Sequence, residues 1–186
     1  MIWKLLKILV IIPAIKFFYK LKIQVSGREN ISQAAAIVIL GNQPNPITAL
    51  ALEAAVARKI YWAISPSVLK ATLPMLLLKI FYGCFLLEPQ LPDTTGFRSA
   101  FRALKKGGLL VFYPGDINRG IALFCLRSGC NILPAAITQE ALNPCAINIT
   151  FGPVYNLSEQ QNMIVNLENI QTLMQKIKES VEKLKQ

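Results

Sequence analysis

The chain contains no histidine. That removes the side chain whose unperturbed pKa lies closest to neutrality, and with it the commonest general base and metal ligand. Its four cysteines, Cys84, Cys125, Cys130 and Cys145, include no Cys-x-x-Cys pair, so no metal site is expected. Each lies in or beside an apolar stretch, where cysteine serves as a small buried hydrophobe in a reducing compartment. The Gly-x-Ser-x-Gly pattern is absent, which excludes the nucleophile elbow of serine hydrolases. The one glycine pair next to cations, Lys105-Lys106-Gly107-Gly108, reads as the end of a helix rather than a phosphate cradle.

Acidic residues are also scarce. Ten Asp and Glu stand against twenty Lys and Arg, a formal charge of +10, while 53% of the residues are hydrophobic and mean hydropathy is +0.43. A chain both basic and apolar fits an anionic membrane surface. Nucleic acid ranks lower as a partner, because the cations are interleaved with aliphatic residues and no nucleic-acid motif is present. Near the amino terminus the longest charge-free run, Ile8 to Ile15, falls far short of the roughly 20 apolar residues a spanning helix needs. No small-x-small cleavage site follows it, which argues against a signal peptide. Residues 1–23 place Lys4, Lys7, Lys16, Lys20 and Lys22 among Trp3, Phe17, Phe18 and Tyr19. This is the pattern of a helix lying in the membrane interface, kinked at Pro13, on the cytoplasmic face as a peripheral or monotopic anchor. A core-packing helix with solvated lysines is the alternative.

Residues 24–186 suffice for one α/β domain with a mostly parallel central sheet flanked by helices. Ile37 to Leu40 is an unbroken apolar run, as expected of a strand buried on both faces. A polar turn with Asn42, Gln43, Asn45 and Thr48 follows. Asn45 and Pro46 supply a cap and a first helical residue. A strand that feeds through such a turn into a helix puts the turn at the carboxyl edge of the sheet, where open α/β proteins bind ligands. Further strands are predicted at Ile60 to Ile64, Cys84 to Leu87, Leu109 to Tyr113 and Ala146 to Phe151. Helices are predicted over Ser67 to Tyr82, Thr94 to Lys106 and Ile164 to Lys185. The helix of residues 67–82 is apolar nearly all round, so it is either deeply buried or touches lipid.

These segments resemble the glycerolipid acyltransferases of the lysophosphatidate (1-acylglycerol-3-phosphate) acyltransferase type. Asn42-Gln43 and Thr48 stand in the frame of that family's Asn-His-x-x-x-x-Asp, and Gly27-Arg28-Glu29-Asn30 is similar to its Gly-x-Glu-Asn lead-in. Gly83 to Pro89 is similar to Gly-x-Ile-Phe-Ile-Asp-Arg, with Pro89 in place of the Arg. Pro114 to Arg119 occupies the place of Phe-Pro-Glu-Gly-Thr-Arg-Ser, Gly120 to Cys130 resembles the short helix that follows it in the family, and Ile132 to Ile137 resembles the family's Val-Pro-Val-x-Ile strand. Without a gap, Gly115, Asp116 and Asn118 fall on Glu, Gly and Arg; with one inserted residue, Asp116 falls on the Glu and Arg119 on the Arg. Both alignments stand. The resemblance implies substrate contacts from Asn42, Asn45, Gly83, Pro114, Gly115, Asn118 and Arg119, with acyl-CoA or acyl carrier protein as donor and no resident cofactor.

In the family, as the resemblance implies, the His takes a proton from a glycerol hydroxyl and the Asp orients it. Gln43 cannot accept that proton, and Thr48 carries no charge to orient a base. Loss of a positioned base costs about 100- to 10,000-fold in rate. Asp116 and Glu88 lie at predicted strand ends and are the candidate replacement bases, with a solvated loop acid as the alternative for either; of the two, Asp116 is the better candidate. Cys84 is weaker still, because nothing near it in sequence lowers its pKa. The favoured reading is a catalytically impaired acyltransferase-like protein that binds lysophospholipid or acyl donor. The alternative is an active acyltransferase with a rearranged site built on Asp116 and Arg119.

Overall fold

The computed structural model describes residues 22–31, 35–41, 45–64, 85–86, 94–112, 119–140, 143, 145–157 and 167–184. β1 (Lys22–Ser26) reads Lys-Ile-Gln-Val-Ser, and this polar and apolar alternation suits a strand with one buried face. Ile23 and Val25 pack on the core, and the Lys22 amide donates to the Cys145 carbonyl at 2.8 Å. β1 therefore begins two residues inside the 1–23 segment expected as an interface helix. Residues 1–21, and the apolar segment expected as a helix at 67–82, lie outside the described residues.

A 3₁₀ turn (Arg28–Asn30) leads to β2 (Ala35–Leu40), then α1 (Pro46–Ala55), β3 (Ile60–Ile64), β4 (Phe85–Leu86) and α2 (Thr94–Lys105). β5 (Leu109–Phe112), α3 (Arg119–Ser128), β6 (Asn131–Gln139), β7 (Ala146–Phe151) and α4 (Leu167–Lys183) complete the order. The strands form one seven-stranded sheet, β1-β7-β6-β2-β5-β3-β4. β6, β2, β5, β3 and β4 are mutually parallel; β7 runs antiparallel to β6, and β1 lies parallel to β7. This is the mostly parallel α/β sheet that the unbroken apolar runs predict.

The sheet divides the core in two. On one face Val38, Leu40, Trp62, Val111 and Leu133 pack with Ala51, Leu52 and Ala55 of α1. On the other, Ile37, Ile39, Leu110, Phe112 and Ile132 meet α2, α3 and α4. Alternate residues of each strand thus serve opposite layers, which is why these runs have no polar positions. Phe124 of α3 centres the second layer, with ring centroids 4.7 Å from Phe101, 5.4 Å from Phe97 and 6.0 Å from Phe112.

α2 ends where its sequence predicts. Gly107 adopts φ 73°, its amide donates to the Leu104 carbonyl and that of Gly108 to Ala103, closing a Schellman turn. Arg58 donates through Nε to the Gly107 carbonyl and through Nη2 to that of Gly108, both at 3.0 Å. Desolvation at this half-buried position lowers the Arg58 pKa from its ordinary value.

The strands do not end level with one another. Leu40, the last residue of β2, pairs with Ala135, whereas β6 continues to Gln139. Those four further residues extend about 13 Å beyond β2. Along them β6 pairs with β7, and β1 flanks β7 in turn. A three-stranded wall therefore stands beyond the carboxyl end of β2.

Candidate functional site

β2 and β5 are parallel neighbours, joined through Ile37↔Leu110, Val38↔Val111 and Ile39↔Phe112. The helix after β2, α1, packs on one face of the sheet, and the helix after β5, α3, packs on the other. Two adjacent connections that leave to opposite faces open a crevice between them at the carboxyl edge. The described ends of the two connections, Gly41 and Asn45 for β2, and Phe112 and Arg119 for β5, therefore flank one crevice, bounded on the far side of β2 by the wall of β6, β7 and β1.

The turn after β2 is tied to β6 at both ends. The Gly41 amide donates to the Ala135 carbonyl at 2.7 Å. At the other end the Asn45 Nδ2 donates to Oε1 of Gln139, at 2.9 Å. Asn45 also caps α1: its Oδ1 accepts from the Thr48 amide at 2.9 Å, with Pro46 at the start of the helix, as expected. One side chain thus seats the first turn of α1 and anchors it to the strand wall.

Thr48 is buried, and its hydroxyl donates to the Asn45 carbonyl at 3.0 Å. It adds a second local bond to the same turn. A hydroxyl so placed has spent its proton on the backbone and keeps only weak acceptor capacity. Arg119 is the first residue of α3, directly beyond the turn after β5, so the fold sets it at the same edge as Asn45 and Thr48. Asn42, Gln43, Gly83, Pro114, Gly115, Asp116 and Asn118 lie outside the described residues, as do Cys84, Glu88 and Pro89.

Two polar contributors escape a reading of the sequence. Gln139 ends β6 two residues past the apolar run that stops at Ile137, and its position beside Asn45 follows only from the sheet order. Glu53 sits within α1 at 4% exposure, where its Oε1 accepts from the Trp62 indole at 3.1 Å. Its neighbours in sequence are alanines and leucines, so its polarity alone marks it, and its partner lies on β3. Asn45, Gln139 and Thr48 bring neutral amides and a hydroxyl to this edge. Such groups recognise polar head groups by hydrogen bonding but accept no proton near neutral pH.

The cysteines divide by burial. Cys125 is fully enclosed in the α3 layer, and burial, aided by the neighbouring Cys130, pushes its thiol up to about 12. It remains a neutral hydrophobe, as its sequence context predicts. Cys130 and Cys145 are half-buried rather than enclosed, because each sits in a turn next to a strand. No cluster of His, Cys, Asp and Glu able to hold a metal occurs among the described residues. No helix among them is long and apolar enough to cross a membrane.

No family model and no curated protein matches the chain. Among solved structures, it is similar to the 1-acyl-sn-glycerophosphate (LPA) acyltransferase PlsC from Thermotoga maritima, with a TM-score of 0.57. The similarity covers 93% of this chain and 79% of that chain at 15% sequence identity. At that identity the likeness is one of architecture, and the chain has an acyltransferase-like α/β fold.

Proposed function

We propose that this protein binds an acyl-bearing ligand, a lysophospholipid or an acyl donor such as acyl-CoA or acyl carrier protein, at a membrane surface without transferring the acyl group. One observation carries the reading: an acyltransferase-like fold is combined with a sequence that holds no histidine. Gln43 and Thr48 stand where proton transfer requires a base and an orienting acid, and the Thr48 hydroxyl is already bonded to the Asn45 carbonyl. We place the ligand in the crevice between β2 and β5, a reading supported by the polar pair Asn45 and Gln139 beside it.

The topology also supports a membrane surface as partner. β1 is parallel to β7 and therefore opposite in direction to β2, so Lys22 lies at the carboxyl edge. It stands about 10 Å from Gln139, two strand spacings away. The basic and aromatic residues 1–21 thus join the fold beside the candidate crevice. An anionic bilayer engaged by them would present its lipids to that edge.

The test uses the purified full chain in micelles containing anionic lipid. Labelled acyl-CoA and acyl carrier protein serve as donors, with lysophosphatidate and glycerol 3-phosphate as acceptors. A Gln43→His, Thr48→Asp variant is assayed in parallel. The added carboxylate falls in the first turn of α1, where the helix dipole favours it. Expected are saturable ligand binding without turnover in the unmodified chain, and measurable transfer by the variant. Turnover in the unmodified chain that disappears in Asp116→Asn would overturn the proposal and establish a rearranged active site. Failure to bind any of the ligands would overturn it as well.

A further inference from the structure

The exposed side of α2 carries Arg98, Arg102 and Lys105, four and then three residues apart, and Lys106 follows in the closing turn. At that spacing the three lie on one face of the helix, spread over about 10 Å. The opposite face, with Phe97, Ala100, Phe101 and Leu104, is committed to the core, so the cations have one outward direction. Residues 94–115 contain no acid, and neither do residues 54–87, which include β3 and β4 beside this helix. Arg58, held against the carbonyls at the end of α2, adds a fixed cation to the same end.

Cations in a last helical turn complement the helix dipole, which accounts for Arg58, Arg102 and Lys105. It does not account for Arg98, nor for the absence of acids from α2, β3, β4 and β5.

Position argues about the partner. Leu110 and Ile132 both pair with Ile37, so the start of β5, and the end of α2 just before it, is level with the start of β6. Lys22 lies beyond the other end of β6, roughly 26 Å away along the strand. A bilayer engaged at the Lys22 edge is several Debye lengths of about 8 Å from Lys105 and Lys106. This choice between lipid and protein rests on the membrane orientation proposed above.

We propose that the α2 stripe is a docking surface for an acidic protein helix, one whose carboxylates recur at the same four- and three-residue spacing. Paired this way, each cation meets a carboxylate along two helices lying side by side, a register that a uniformly charged surface does not supply.

The experiment compares three full-length proteins: unmodified, Arg98→Gln with Arg102→Gln and Lys105→Gln, and a control with Lys176→Gln, Lys178→Gln and Lys183→Gln on α4. Both triple variants lose the same charge. The probes are a helix-stapled peptide bearing Glu at i, i+4 and i+7, its scrambled isomer, duplex DNA, and vesicles of phosphatidylglycerol and phosphatidylcholine. The registered peptide is expected to bind the α2 variant at least tenfold more weakly, and the α4 control within twofold of the unmodified chain. The scrambled peptide is expected to bind the unmodified chain at least fivefold more weakly than the registered one. Vesicle binding is expected to be equal in both variants. Absence of saturable peptide binding, equal losses in both variants, or no preference for register would overturn the proposal. So would selective loss of vesicle binding in the α2 variant, or DNA binding that is tighter than peptide binding and lost with the stripe. If the unmodified chain ignores vesicles yet binds the peptide in register, the membrane reading fails and the docking surface stands.

Discussion

β2 is entered through one turn and left through another, and the two turns are held in different ways. At the entry, Gly27 has φ 70°, and a Cβ added there would overlap the Phe151 carbonyl oxygen. Asn30 donates to that same oxygen at 3.2 Å, and Arg28 reaches the Ala55 carbonyl at 3.4 Å. The glycine and the asparagine of the lead-in are therefore required by packing alone. At the exit, Asn45 and Thr48 close the helix start and Gln139 anchors it. The entry turn is fixed by close packing against β7; the exit turn is held by a helix cap and one exposed bond. The binding function proposed above needs no more of the exit than this, because a cap and an anchor position a turn without any proton transfer.

The sharpest way to break this contrast is at the entry. Gly27→Ala combines a left-handed backbone with a clash against a carbonyl held in β7, and should cost about 3 kcal/mol. For a domain of this size that is a Tm loss of roughly 6–12 °C by calorimetry. A loss of less than about 1 kcal/mol would show that the entry turn yields easily and that its glycine is not fixed by packing. The exit turn should be softer. Asn45→Ala removes the cap of α1 and the bond to Gln139, and is expected to cost about 1 kcal/mol in chemical denaturation. Asn45→Asp, which keeps the capping oxygen, should recover most of that loss. Equal effects at the two turns would dissolve the contrast.

Much of this arrangement is legible in the sequence wherever its cause is local. The apolar runs at 37–40, 60–64 and 109–112 mark buried strands because helices cover both faces of the sheet. Asn45-Pro46 marks a helix start because the cap acts three residues away, and Gly107-Gly108 marks a helix end for the same reason. β1 is missed, since the alternation in Lys-Ile-Gln-Val-Ser follows directly on a basic and aromatic stretch that dominates the reading. The extension of β6 past β2 is set by pairing between strands and leaves no local trace. Gln139 therefore reads as an ordinary polar strand end, although it meets a residue 94 positions earlier. The buried Glu53 is hidden likewise, because its indole partner belongs to a different element.

Gln139 provides the smallest and most discriminating test of the exit turn. Its bond to Asn45 is exposed and joins two neutral amides, so Gln139→Ala should change global stability by less than about 0.5 kcal/mol. The cap of α1 remains, because the Thr48 amide still finds the Asn45 oxygen. What is lost is the Asn45 anchor to β6, while the bond from the Gly41 amide to the Ala135 carbonyl stays. Hydrogen exchange at the amides of Asn45 and Thr48 should accelerate severalfold, with exchange in β2 and β6 unchanged, because local opening can be weakened without altering the cooperative core. If ligand binding weakens in step with that local exchange while Tm stays constant, the anchor serves the crevice. Should exchange rise with no change in binding, the wall formed by β6 supports only the fold, and the division between a structural entry and a functional exit loses its best evidence.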